Sequence, residues 1–216
     1  MKSFMKKYFN NITNKRFLKS IFLFLGLQLI TYMFVKLFQT GYHTFDFDID
    51  KKIPFIPQVI IIYNLFYPMM FIAFYNIFNK DEKTYFKGIM AGIIGYIICD
   101  IIFLVYPVEM IRPDISTISI DPINKLVLYL TYLLDTPAIN CFPSIHCLFC
   151  FQAIYSTIIC KDFKKLNKTI SIIILSLIII STLLVKQHYL YDVLAGLVLV
   201  IISNIITYII FQKKGL

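Results

Sequence analysis

Six apolar runs, separated by short polar connections, dominate the pattern of hydrophobic and polar positions along the chain. Each run approaches the roughly 20 residues that cross about 30 Å of hydrocarbon as a helix. The pattern therefore predicts an all-α integral membrane bundle of six transmembrane helices. The predicted spans cover about 18–38, 56–78, 86–106, 142–160, 168–185 and 189–212.

The composition leaves little room for a soluble domain, since 59% of the residues are hydrophobic and only 15% are charged. Both values lie far from those of soluble globular proteins. We therefore expect a single membrane-embedded domain over 1–216, with a basic segment at 1–17 and a short tail at 213–216. The first apolar run is too long for a signal peptide and lacks a small-residue cleavage site, so we expect it to remain as the first span.

The basic residues indicate how the chain is oriented. When alternate connections are assigned to opposite sides of the membrane, 15 of the 21 Lys and Arg residues fall on one side. By the positive-inside bias, both termini are then cytoplasmic. The net charge of +9 is spread along the chain and forms no patch, so it indicates a lipid bilayer and no nucleic acid as partner. The 15 residues are Lys2, Lys6, Lys7, Lys15, Arg16, Lys19, Lys80, Lys83, Lys87, Lys161, Lys164, Lys165, Lys168, Lys213 and Lys214.

Five cysteines lie in or beside predicted spans, where a thiol usually behaves as a small hydrophobic group. We predict no disulfide framework. Cys141, His146, Cys147 and Cys150 have the residue types of a zinc site, but a cluster within one apolar helix lacks the paired spacing and the second ligand arm of such sites. The sequence therefore predicts no metal and no cofactor.

Three polar motifs lie on the predicted external side, at about the same membrane depth. Arg112 follows the third span. Ser144 and His146 open the fourth span, and His188 and Asp192 open the sixth. Ionisable groups at such positions are costly and usually functional. His188 and Asp192 are four residues apart, so a helix brings them into contact on one face.

These side chains suit phosphoryl transfer through a phosphohistidine. The guanidinium of Arg112 matches phosphate oxygens, and Ser144 with the helix N-terminus behind it offers further donors. The Asp192 carboxylate would fix the tautomer of His188 and leave its other nitrogen free to attack phosphorus. His146 would protonate the leaving oxygen and then activate the acceptor.

Together, these motifs resemble those of the type 2 phosphatidic acid phosphatase superfamily of membrane lipid phosphatases, whose pattern runs K-x6-R-P, P-S-G-H and S-R-x5-H-x3-D. The three motifs extend from Val105 to Asp192, and the six-helix arrangement of the family covers nearly the whole chain. It implies the same roles for the matched residues. His188, His146 and Asp192 would be catalytic, and Arg112 and Ser144 would bind phosphate.

The chain departs from that pattern at three positions. Val105 stands in place of the lysine, Ile145 in place of the glycine and Thr182 in place of the arginine. Lys186, two residues before His188, either replaces one missing cation or lies at a span end with its charge in water. Asp100, inside the third span, should face the bundle interior or a wet cavity, where it would either line the headgroup pocket or pair with a cation such as Lys186.

The resemblance implies hydrolysis of a phosphomonoester or pyrophosphate of a membrane lipid, of the undecaprenyl pyrophosphate, phosphatidic acid or phosphatidylglycerol phosphate type. We expect the site to face the extracytoplasmic side. The composition, which is rich in Lys, Ile and Asn and lacks Trp, is typical of an AT-rich bacterial gene and favours a bacterial plasma membrane. Two alternatives stay open. The third motif also resembles that of inositol phosphorylceramide and sphingomyelin synthases, which transfer a headgroup to an alcohol, and the departures allow a non-enzymatic lipid-binding or transport protein.

Overall fold

The computed structural model describes residues 14–213. Most of the predicted basic segment at 1–17 and of the tail at 213–216 therefore lies outside the described residues. Between them run nine α-helices: α1 Lys15–Phe38, α2 Asp48–Lys52, α3 Ile60–Asn64, α4 Phe66–Lys80, α5 Glu82–Val105, α6 Pro122–Leu134, α7 Ile145–Ile159, α8 Lys165–Leu184 and α9 Leu190–Lys213.

Short elements complete the described chain. Single 3-10 turns lie at Pro57–Val59 and Ile115–Thr117. Two-residue strands, β1 at His43–Thr44 and β2 at Val108–Glu109, pair in parallel and tie the connection after α1 to the connection after α5. Apart from these strands, the prediction of an all-helical chain is confirmed.

Within the described residues, five helical segments are long and apolar enough to cross a membrane, which supports an integral membrane protein. They are Lys15–Phe38, Pro57–Lys80, Glu82–Val105, Lys165–Leu184 and Leu190–Lys213. The segment predicted as the fourth span, about 142–160, forms α7, which is apolar but has only 15 residues. At 1.5 Å per residue it reaches about 22 Å, less than the hydrocarbon thickness. The count of six spans and the side of each terminus stay predictions.

Side-chain caps fix where several helices begin. Asp81 Oδ1 accepts the Thr84 amide at 2.9 Å and starts α5. Asp121 accepts the Asn124 amide at 3.0 Å, and Pro122 at the first helical position favours the same start for α6. Ser144 caps α7, so Pro143 lies just before the helix.

Helices α5, α7 and α9 pack against one another in the centre of the bundle. Small residues allow these close approaches, as in other membrane proteins. A Cβ added at Gly95 in α5 would lie 2.8 Å from Leu148 Cδ1 in α7. Aromatic side chains fill the neighbouring core, where the rings of Phe24 and Phe149 lie 5.0 Å apart between centroids. Helix α7, which begins with the His146 motif, packs directly against α9, which begins with the His188 motif.

Helix α6 was not predicted from the sequence, and apolar side chains lie on both its buried and its exposed face. Leu128 and Tyr132 are buried on one face, whereas Ile123, Leu126 and Leu133 are exposed on the other. With 13 residues the helix is too short to cross a bilayer. Along the chain it lies between the Arg112 and His146 motifs. It brings Tyr132 and its C-cap residue, Asp135, toward Arg112.

Candidate active site

The site forms where the N-terminal ends of α7 and α9 meet. Ser144 caps α7 by accepting the Cys147 amide on its hydroxyl oxygen at 3.2 Å, and its own amide donates to the Asp192 carbonyl at 3.1 Å. Gly196 makes this approach possible, because a Cβ there would lie 3.1 Å from both the Ser144 carbonyl oxygen and the Leu148 nitrogen. The crossing therefore fixes the two predicted histidine motifs relative to each other.

His188 is buried, and both its ring position and its tautomer follow from its hydrogen bonds. Nδ1 lies 3.1 Å from the Cys141 carbonyl oxygen and 3.3 Å from Asp192 Oδ2. Because a carbonyl can only accept, we assign the proton to Nδ1, which leaves a lone pair on Nε2 of the neutral ring. Asp192 is fully buried, and its Oδ2 also accepts the Tyr189 amide at 2.8 Å.

His146 lies beside His188, with 5.8 Å between the two ring centroids. Its Nε2 is 3.1 Å from the Tyr63 hydroxyl, and its ring contacts Phe66 at 4.5 Å between centroids. These contacts from α3 and α4 orient the imidazole. Tyr63 was not predicted as a site residue, because a single tyrosine in an apolar run carries no distinguishing pattern.

Arg112 is held by polar groups from two parts of the chain, the C-terminal end of α6 and the segment before α9. Its guanidinium donates to the Asp135 carboxylate, to Gln187 Oε1 and, at 3.2 Å, to the Tyr132 carbonyl. It also lies 4.6 Å from the centroid of the Tyr132 ring, a cation–π contact. Since Gln187 directly precedes His188, this network places the predicted phosphate-binding arginine beside the histidine pair. Asp135 was not predicted as a site residue.

The structure places Lys186 at the edge of this cluster. It has a left-handed backbone with φ 51°, and its ammonium donates to the carbonyl oxygens of Asp50 at 3.1 Å and Ile53 at 2.7 Å. Burial lowers the pKa of Lys186, although Asp50 partly opposes that shift. Asp100 is buried within α5 and lines neither of the two pockets next to the histidines.

Pockets of different character flank the two histidines. His146 lines a pocket of about 80 Å³ between α1, α4 and α7, whose other walls are mostly aliphatic and aromatic. His188 and Lys186 line a pocket of about 190 Å³ beside the connection that follows α1, with Asp46, Asp50 and Lys51 on its wall. The histidine pair thus lies between an apolar space and a second space whose walls combine charged and apolar side chains.

Within residues 14–213, no group of three or more His, Cys, Asp or Glu side chains is arranged to hold a metal ion. The five cysteines are buried and unpaired. What the arrangement offers is a histidine with a free ring nitrogen, a second histidine close by and an arginine within one hydrogen-bonded network. Such a set can perform nucleophilic and acid–base chemistry on an anionic group.

Comparison with known proteins identifies the family. A family model described as the PAP2 superfamily matches residues 89–216, a stretch that contains Arg112, Ser144, His146, His188 and Asp192. This match confirms the resemblance that the three motifs indicated. No curated protein and no solved structure matches the chain significantly.

Proposed function

The chain belongs to the PAP2 superfamily, whose members are generally phosphatases, and from this premise we propose that it hydrolyses a phosphomonoester or pyrophosphate of a membrane lipid through a phosphohistidine. The observation that carries the proposal is the orientation of His188. Its Nδ1 is engaged by the Cys141 carbonyl and Asp192, so Nε2 is the nitrogen that would attack phosphorus.

In the proposed reaction, His188 Nε2 forms a bond to phosphorus as the bond to the leaving oxygen breaks. His146, with its ring centroid 5.8 Å from that of His188, would donate a proton to the leaving oxygen. It would then remove a proton from water, whose oxygen attacks the phosphohistidine and releases phosphate. Arg112 would neutralise charge on the phosphate oxygens and Ser144 would donate a hydrogen bond to one of them, with Lys186 at the edge of the site.

The two pockets support a lipid substrate. A lipid phosphate has a charged end and an apolar chain, and the histidine pair lies between an apolar pocket and a pocket that also carries charged side chains on its wall. The apolar pocket is on the His146 side, where the proposed leaving group departs. With a volume of about 80 Å³, this pocket would hold only the start of a lipid chain, among aliphatic and aromatic side chains.

The same pocket favours water over an alcohol as acceptor. Water needs no binding site of its own, whereas an alcohol headgroup needs polar contacts that hold its hydroxyl near the phosphorus. Around His146 the pocket walls are mostly apolar. We therefore favour hydrolysis over headgroup transfer. The distribution of basic residues and the composition favour the extracytoplasmic face of a bacterial plasma membrane as the place of the reaction.

The test is to incubate the purified protein with a panel of labelled lipid phosphates and pyrophosphates, with and without inositol and ceramide. We expect release of inorganic phosphate without added alcohol. Formation of a new phosphodiester with little free phosphate would replace hydrolysis by transfer. No reaction with any lipid, in protein that still melts cooperatively, would favour the non-enzymatic alternative.

A further inference from the structure

Asp135, in the turn after α6, joins two cations and a tyrosine beside the histidine pair. Its carboxylate accepts from Arg112 and, at 2.7 Å, from the Tyr32 hydroxyl. The ammonium of Lys36 lies 4.0 Å from Asp135 Oδ1. The Asp135 side chain is 33% exposed, so it can turn into water without a large desolvation penalty.

Lys36 has an unusual position for a lysine at the end of an apolar helix. It lies in the last turn of α1, and a side chain there would normally extend its charge into water. Instead, its side chain is only 19% exposed, and the ammonium lies 5.7 Å from the centroid of the Tyr32 ring. A charge held toward a bundle interior is costly and usually functional.

Donor groups close to these cations lack partners. Arg112 Nε, Gln187 Nε2 and Asn140 Nδ2 are buried, and none of them donates a hydrogen bond to any group within residues 14–213. Gln187 and Asn140 are 2% and 6% exposed, respectively. The orientation of the Gln187 amide is fixed, because its Oε1 accepts from Arg112, which can only donate. Unpaired buried donors beside two cations fit a ligand that supplies several acceptor oxygens.

We propose that Lys36 and Gln187 join Arg112 in binding the phosphate group, and that the Asp135 carboxylate is the anion that phosphate displaces. The assignment rests on the proposed function and identifies where its reacting group binds. Two cations with one carboxylate leave a net charge of about +1, and displacement of Asp135 gives about +2, which matches a phosphate dianion. The oxygens of phosphate would then pair with the donors of Arg112 and Gln187 that lack partners.

The test is to measure binding of inorganic phosphate and of orthovanadate to the purified protein in detergent by calorimetry. Lys36→Gln should weaken binding at least about tenfold, because one charge-assisted contact is lost. Lys36→Arg should restore most of it. Asp135→Asn should tighten binding about tenfold, because the internal competitor loses its charge. Lys52→Gln is the matched control, since Lys52 is exposed and follows the same span; it should bind as the unmodified protein does.

The outcomes separate this assignment from the proposed function. Equal phosphate affinity in Lys36→Gln and in the unmodified protein would overturn the assignment even if lipid phosphates are hydrolysed. Lys36-dependent phosphate binding without release of phosphate from any lipid would retain the assignment and reject the phosphatase. If Lys36→Gln fails to fold, the phosphate affinity of Asp135→Asn tests the assignment instead. Weaker or unchanged phosphate binding in that variant would contradict displacement of the carboxylate.

Discussion

Replacing Asp192 by asparagine should slow phosphoenzyme formation by about 10- to 100-fold while leaving the fold intact. The substitution keeps the shape of the side chain and an oxygen that can accept the Tyr189 amide, now bonded at 2.8 Å. It removes the negative charge that lies 3.3 Å from His188 Nδ1. That charge would stabilise the imidazole as it becomes cationic on bonding to phosphorus.

The size of the effect follows from the second partner of Nδ1. In a serine-protease triad, the same substitution drops kcat about 10⁴-fold because the histidine adopts the wrong tautomer. Here the Cys141 carbonyl also accepts from Nδ1, at 3.1 Å, and it would still require a proton on that nitrogen. Only the charge is lost, and exchanging a charge-assisted hydrogen bond for a neutral one costs about 1.4–2.7 kcal/mol, which is about 10- to 100-fold.

Single-turnover mixing with a labelled lipid phosphate measures the step directly. Ser203→Ala controls for packing changes in α9 and should react at about the normal rate. It removes a buried hydroxyl that, among residues 14–213, donates to the Val200 carbonyl of the same helix. A loss of about 10⁴-fold in Asp192→Asn would show that the Cys141 carbonyl does not maintain the tautomer. A loss below about threefold would remove Asp192 from the mechanism.

Three further predictions concern the cations, the cysteines and the orientation. Arg112→Lys should raise the KM for a lipid phosphate about tenfold, because lysine cannot reproduce the forked contacts and the stacking on Tyr132; an unchanged KM would contradict a role in phosphate binding. In the folded protein, the native cysteines should not react with thiol reagents until denaturant is added, because all five are buried. A cysteine at exposed Ser119 should be labelled by an impermeant reagent in intact cells and one at exposed Lys164 should not; the reverse pattern would place the site in the cytoplasm.

The positions of the long helices could be predicted because the hydrophobic pattern is strong. The predicted first span at about 18–38 forms Lys15–Phe38, and the predicted last span at about 189–212 forms Leu190–Lys213. The helix at the fourth position is shorter than predicted, since Ser144 caps it and it ends at Ile159. Hydropathy cannot detect such a cap within an apolar run.

The site could be predicted only where its residues are close in sequence or match a motif. His188 and Asp192 are one helical turn apart, so their contact follows from spacing. Tyr63, Lys36 and Asp135 come from three other parts of the chain, and only packing of the helices brings them near the motifs. A lysine near the end of an apolar run normally indicates a side chain that extends into water, and this is why Lys36 did not stand out.

The most direct measurement of the central proposal is to identify the phosphorylated residue after rapid quenching with labelled lipid phosphate. We predict an acid-labile phosphoenzyme with the label on His188, formed in His146→Ala with a good leaving group and absent in His188→Ala. Label on any other residue, or full turnover by His188→Ala, would contradict the assignment of His188 as the nucleophile.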